Sequence, residues 1–297
     1  MALTINHNLM AMNAARNLNN HYNSLSVSTR RLSSGLRIGT AADDAAGLAI
    51  RELMRADIDS LAQGVRNAND AISMIQTADG ALSIIDEKLI RMKELATQAS
   101  TGTYTSAQRM MIDSEYQAMA SEITRIANAT DFNGIYLLNG NLSSETHDGS
   151  GLNSTGQLKV HFGTGNDSAE DYYYVNIGSS TASAFGLGLG AAVGRSGRSI
   201  STQEMAQDAL EAINDAIVSK DKVRANLGAM QNRLENTITN LEVQAENLQA
   251  AESRISDVDV STEMTQFVRE QILTQSAVAM LSQANSLPQM ALQLIGG

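Results

Sequence analysis

The sequence predicts a mainly α protein: a long antiparallel helical coiled-coil bundle with a small β-hairpin region, plus paired N- and C-terminal helices. Three observations carry this. Leu227, Leu234, Leu241, Leu248 and Ile255 stand at strict seven-residue intervals, the repeat that keeps one apolar seam facing a partner helix. Read inward from either end, the chain repeats one layout: a helix of about 30 residues, a break, a helical pattern of about 57, then a small irregular middle. Aromatics make up 4% of the 297 residues, Trp is absent and Pro occurs once, a balance that favours close-packed helices over aromatic-rich sandwiches.

Composition narrows the function as well. A hydrophobic fraction of 43% supports a sizeable core. The net charge of -11, with no basic stripe, argues against nucleic acid and against anionic membrane surfaces as partners. Without Cys there is no disulfide, thiolate metal site or thiol nucleophile, which fits export to an oxidising place but equally a cytosolic chain. The start, MALTINHNLMAMNAARN, lacks a basic n-region, so no secretory signal peptide is expected. From Gln271 to Gly297 there is no charged side chain, yet Gln271, Gln275, Gln283, Asn285, Gln289 and Gln293 would need partners in lipid, so no membrane span is expected.

The elements follow in order. Leu18, Tyr22, Leu25, Thr29 and Leu32 step by four and three, giving a helix that stops at SSG, residues 33–35. After a linker at 34–43, Thr40 and Asp43 are spaced for a capping box ahead of a helix starting near Asp44. Its seam reads Leu61, Val65, Ala68, Ile72, Ile75, Ala78, Leu82, Ile85, Leu89, Met92 and Ala96. Thr105 with Gln108 opens a shorter helix using Met111, Met119, Ile123 and Ile126, which ends before TDFNG, residues 130–134. LKVHFG (158–163) and YYYVNIG (172–178) read as a β-hairpin within 141–196. Ser201 with Glu204 gives a third capping box before the heptad helix, which lapses at SDVDVSTE, residues 256–263; a last helix begins near 262. The expected division is therefore 1–33, linker 34–43, 44–140, 141–196, 197–256 and 257–297. Two seams of about 57 residues at about 1.5 Å per residue make antiparallel rods of roughly 85 Å, with both chain ends at one end.

On a wheel starting at Met264, the residues Phe267, Val268, Ile272, Leu273, Val278, Met280, Leu281 and Leu287 fall at nearly every azimuth. A helix apolar all round must be buried all round. The N-terminal helix covers one side only. Ordering a residue costs roughly 1–2 kcal/mol, while a fully buried Leu returns about 1.5–3, so the pair alone is marginal. Packing of further copies around it makes the pair favourable, which turns the tail into an assembly device. The single proline, Pro288, is expected to bend or restart the last turns.

No catalytic, metal or cofactor site is expected, and the chain does not read as an enzyme. His7, His21, His147 and His161 lack i, i+4 or HExxH spacing. GLGLGAAVGRSG, residues 186–197, has neither GxGxxG after a strand nor GKS/GKT, and reads as a return loop. DVDVSTE (257–263) is out of register for an EF-hand and reads as a helix break and cap. Asn128, Asn141, Asn153 and Asn166 stand in short N-x-S/T sequons that arise by chance in an Asn-rich chain.

At LSSGLRIGTAADDAAGLAI (32–50), NANDAISMIQTADGAL (67–82), TDFNGIYLLNG (130–140) and QANSLPQMALQLI (283–295), the chain closely resembles bacterial flagellin, over roughly 1–140 and 195–297. The resemblance implies a self-assembling structural subunit of the extracellular flagellar filament, serving motility, without large outer domains. It places Leu9, Leu18, Leu25, Met264, Phe267, Ile272, Val278, Leu281, Leu287 and Leu292 in subunit packing on the filament's inner tube. Leu61, Ile75, Leu82, Leu89 and the five heptad residues then form the coiled-coil seam of the surrounding wall. It further implies export through the flagellar type III machinery, a chaperone on the C-terminal helix, and filament cap and hook-associated proteins as partners. Flagellins commonly read INSAKDD where this chain has IGTAADD, so any salt bridge of that lysine is absent at Ala42. IRMKELATQAS (90–100) resembles the stretch through which an animal Toll-like receptor detects many flagellins, with Arg91, Leu95 and Glu115 at the matching positions. A hook-filament junction protein shares such ends and is the alternative; TDFNG, DDAAGLAI and PQMALQL favour the filament subunit.

Overall fold

The computed structural model describes residues 8–144, 156–168, 170–190 and 196–295. These form α1 (Leu9–Ser34), α2 (Ala45–Ser100), α3 (Ser106–Ala129), β1 (Asp131–Phe132), β2 (Ile135–Tyr136), β3 (Leu158–His161), β4 (Tyr172–Val175), α4 (Ala182–Phe185), α5 (Gln203–Ser256) and α6 (Val260–Ile295). The chain divides into two compact units, one of Met1–Ile58 with Glu246–Gly297 and one of Asp59–Ala245. The expected boundaries at 43/44 and 256/257 therefore lie inside the first unit, which takes in the start of α2 and the end of α5.

The second unit is built on the heptad seams. Leu61, Ala68, Ile72, Ile75, Ala78, Leu82, Ile85, Leu89, Met92 and Ala96 are buried, and Val65 is half-buried. On α5, Ala206, Ala209, Ile213, Ala216, Leu227, Leu234 and Leu241 continue the three-four rhythm, with one break. Lys220 occupies a seam position at 2% exposure, and its Nζ lies 2.5 Å from Asp86 Oδ1 and 2.8 Å from Asp221 Oδ1. One turn on, Arg224 donates to Asp79 at 2.7 Å, and this hydrogen bond holds the Asp79 carboxyl below its ordinary 3.8. The partner numbers rise on α2 as they fall on α5, so the two helices run antiparallel here. Asp221 travels with Lys220 on α5, but Asp86 on α2 meets the buried cation only at this register, which fixes the alignment that leucines alone leave degenerate.

Helix ends explain several small departures from expectation. The Thr40–Asp43 pair closes a turn, with Thr40 N–H and Oγ1 both donating to Asp43 Oδ2, while Asp44 Oδ1 caps α2 by accepting from Ala46 and Gly47 N–H at 3.0 Å. α5 is capped one residue later than Ser201, since Met205 N–H donates to Thr202 Oγ1 at 3.2 Å. The Thr105–Gln108 capping box of α3 is present in both halves. Met111 is 74% exposed, because it precedes the buried Tyr116 by five residues and falls off a stripe that runs Tyr116, Ala120, Ile123, Ala127. The buried Tyr116 hydroxyl donates to Gly197 O at 2.7 Å and sets that register.

After α3 the chain makes a tight β1–β2 hairpin whose central residues, Asn133 at φ 52 and Gly134 at φ 80, take the left-handed conformation of a type I′ turn. The second hairpin pairs β3 with β4 antiparallel, Leu158 opposite Val175 and His161 opposite Tyr172. It seats on α2 at Gly64, where an added Cβ would stand 2.0 Å from Phe162 O, and Asn67 Nδ2 donates to His161 O at 2.8 Å. The segment 141–196 also holds the single turn α4, capped by Thr181, so it is more than hairpin and loops. Within the glycine-rich 186–197 stretch, Leu189 N–H donates to Gln117 Oε1 of α3; residues 191–195 lie outside the described residues.

Gly64→Ala is therefore expected to push the hairpin off α2 and lower thermal stability by about 1–3 kcal/mol, the usual scale for overpacking. Differential scanning calorimetry measures the loss, and amide exchange should accelerate across β3 and β4.

Candidate assembly interface

The first unit pairs α1 with α6, and polar side chains are buried in that contact beside apolar ones. Side chains buried between the two helices include Ser28, Glu270, Thr274 and Ala284; Leu18, His21, Leu25, Phe267, Ala277 and Leu281 are half-buried. His21 Nδ1 lies 2.7 Å from Glu270 Oε2, whose other oxygen accepts from Gln266 Nε2 at 3.1 Å. Arg31 stands 3.7 Å from Glu263, Asn8 meets Ala284, and the descending partner numbers make the pair antiparallel. A carboxylate buried between helices without a partner would cost several kcal/mol, so the His21–Glu270 contact fixes which residues face each other.

Pro288 supplies the second fixed point. α6 runs without interruption from Val260 to Ile295 with Pro288 inside it, so the expected restart at Pro288 does not occur. A proline within a helix has no N–H for the carbonyl four residues earlier, which here is Ala284 O. Asn8 Nδ2 donates to that carbonyl at 2.7 Å, and Asn8 Oδ1 accepts from Ala11 N–H at 3.0 Å. One amide thus caps the start of α1 and takes the carbonyl that Pro288 leaves free. This compensation comes from the opposite end of the sequence, which is why the helix continues.

The linkers beyond the pair are stapled to each other. Gly35 ends α1 in the left-handed region at φ 73, its N–H donating to Arg31 O at 2.8 Å. Arg37 N–H donates to Ser256 O at 2.6 Å, Val258 N–H to Gly35 O at 3.0 Å, and the Arg37 guanidinium to Ile255 O at 2.7 Å. The buried Arg51 donates to Ile38 O at 2.7 Å. Asp43, beside the lysine-free Ala42, pairs instead with Arg30 at 2.9 Å. Its carboxyl is held below 3.8 by the hydrogen bond from the Thr40 hydroxyl first, with Arg30 adding to it.

Large apolar side chains also stand outside the contact, interleaved with polar ones such as Thr265, Arg269 and Gln275. Leu9, Met12, Met264, Val268, Ile272, Leu273, Val278 and Met280 are all exposed, Ile272 at 57% and Met280 at 60%. A face of this extent marks an interaction surface. Of the residues expected in subunit packing, Leu9, Met264, Ile272 and Val278 stand outward, and Leu18, Leu25, Phe267 and Leu281 are half-buried between α1 and α6; the side chains of Leu287 and Leu292 lie outside those described. Of the expected seam, Leu61, Ile75, Leu82, Leu89, Leu227, Leu234 and Leu241 are buried, whereas Leu248 and Ile255 are half-buried. Arg91 and Glu115 form an exposed ion pair at 2.8 Å, whereas Leu95 is 2% exposed and lies in the core. Sequence reading missed Asn8, His21 and Glu270; the carbonyl four residues before Pro288 was the available signal for the first.

Among the described residues no cluster of His, Asp or Glu is arranged to hold a metal, and no helix is long and apolar enough to cross a membrane. Residues 5–143 match the family model for the bacterial flagellin N-terminal helical region, and residues 210–295 that for the C-terminal helical region. A flagellin of Halalkalibacterium halodurans is 45% identical over 99% of this chain and 100% of its own length. The flagellar filament 33 kDa core protein of Treponema phagedenis is 42% identical with the same coverage. A putative flagellar hook-associated protein from Vibrio parahaemolyticus shares the fold, with a TM-score of 0.55 over 72% of this chain and 100% of that one, at 16% identity.

Asn8→Ala is expected to cost about 1–3 kcal/mol in α1–α6 pairing through loss of cap and carbonyl partner together. Adding Pro288→Ala restores the N–H that bonds Ala284 O, so the double variant should recover part of that loss by circular dichroism melting.

Proposed function

Because the chain belongs to the bacterial flagellin family, we propose that it polymerises by covering the outward apolar faces of its α1–α6 pair with the same pair from neighbouring copies. The chain is a structural subunit of the extracellular flagellar filament and serves motility. The hook-junction alternative has no support; the likeness to a hook-associated protein is one of fold alone. The observation that carries the assembly reading is the large apolar side chains exposed on the pair, among them Ile272, Val278 and Met280, while Glu270 and Thr274 are buried. A monomer in water gains nothing from such an arrangement, whereas a polymer buries it from several directions.

The same exposed helix suits a chaperone that holds α6 before assembly, and a marginal pair suits passage of an unfolded chain through the type III export channel. Filament cap and hook-associated proteins then meet the same kind of surface at the filament's two ends. The seam of α2 and α5 supplies the surrounding wall. For recognition by a Toll-like receptor, the exposed Arg91 with Glu115 is the surface that a partner can reach.

Limited proteolysis tests the assembly reading. Residues before about 34 and after about 262 should be cut in monomers and spared in filaments, as expected of a marginal pair ordered by neighbours. Free monomer that keeps both ends intact would overturn it. Deleting 286–297 should leave a folded monomer with poor polymer yield in electron micrographs. Separately, Arg91→Asp should weaken a receptor reporter response at least about tenfold, the scale of one lost charged contact; undiminished potency would remove Arg91 from the contact.

A further inference from the structure

The outward face of the α1–α6 pair is rich in one reactive group. The chain has 14 Met and no Cys, so its oxidisable sulfur is thioether. Met74 and Met92 of the α2 seam are 2% and 0% exposed. On the pair, Met10, Met12, Met264, Met280 and Met290 are 47%, 64%, 44%, 60% and 48% exposed. We propose that these five methionines form an oxidation site at which hydrogen peroxide switches off assembly of the monomer, an inference that rests on the assembly reading above.

The chemistry needs no catalyst. A sulfur lone pair attacks one peroxide oxygen and the O–O bond breaks. The departing hydroxide takes the remaining hydrogen, leaving a sulfoxide and water. Sulfur loses two electrons and peroxide gains them. The product carries a strong acceptor oxygen where a flexible apolar chain stood. Its apolar neighbours on α6, Val268, Ile272, Leu273 and Val278, offer no side-chain donor, while the donors of the same face, among them Thr265, Arg269 and Ser276, are themselves exposed to water. Copies closing around the pair would strip water from that oxygen, and each sulfoxide set against the apolar neighbours would lose its hydrogen bond. Polymer contacts cover the same sulfurs, so the switch acts on free subunits and spares finished filament.

The test treats purified monomer with hydrogen peroxide, locates sulfoxides by mass spectrometry, and measures the concentration at which polymer sediments. Oxidation should raise that concentration at least about tenfold, the equivalent of about 1.4 kcal/mol per added subunit. Methionine sulfoxide reductases acting on both epimers should restore it. A variant with Met10, Met12, Met264, Met280 and Met290 all changed to Leu should polymerise equally before and after peroxide. Met110→Leu with Met111→Leu, on α3, should remain sensitive. Wild-type monomer that carries the five sulfoxides and still polymerises normally overturns the proposal, as does failure of the reductases to restore assembly. If the five-Leu variant fails to polymerise untreated, reductase rescue decides. Untreated wild type that does not polymerise would instead count against the assembly reading itself.

Discussion

The packing of α1 on α6 through polar and small groups is the constraint from which the assembly behaviour follows. Glu270 can be buried only where His21 and Gln266 meet it, and the Ala284 carbonyl can be left by Pro288 only where Asn8 reaches it. Once those partners are fixed, the azimuth of α6 is fixed, and Met264, Val268, Ile272 and Met280 have nowhere to point but outward. Rotating α6 to bury Ile272 and Met280 against α1 would instead turn Phe267 and Leu281 outward and separate Glu270 from His21 and the Ala284 carbonyl from Asn8.

The two compact units solve opposite problems. In Asp59–Ala245, leucine, isoleucine and alanine meet across long seams, and the buried cation Lys220 is matched by Asp86 and Asp221, giving a self-sufficient core. In the terminal unit the apolar surface is held in reserve. Falling burial along the same heptad marks the change: Leu227, Leu234 and Leu241 are buried, Leu248 and Ile255 only half so. An identical sequence repeat therefore has different cover in the two units.

Much of the site was legible before any coordinates. The all-round apolar wheel of residues 264–287 required partners beyond one helix, and the outward Ile272, Val278 and Met280 agree with it. The rule for proline is local, so Pro288 by itself points to a restart, whereas its compensation, Asn8, lies 276 residues from the carbonyl it serves. Leu95 was placed with Arg91 by sequence likeness, but a helix position one turn along the seam is turned inward. The β1–β2 turn went unread although Asn133–Gly134 carries the type I′ signature.

By itself, then, the sequence determined the helices, the heptad seams, the hairpin strands and the all-round apolar character of the last helix. These are set by periodicity and composition within a few turns of chain, where backbone geometry translates residue spacing directly into faces. The tertiary structure alone decided which face of α6 turns inward, which residue heals the proline gap, how the hairpin seats on Gly64 and where the capping residues fall. Those depend on pairs of groups far apart in sequence, each of which is satisfied or clashes only when its partner is in place.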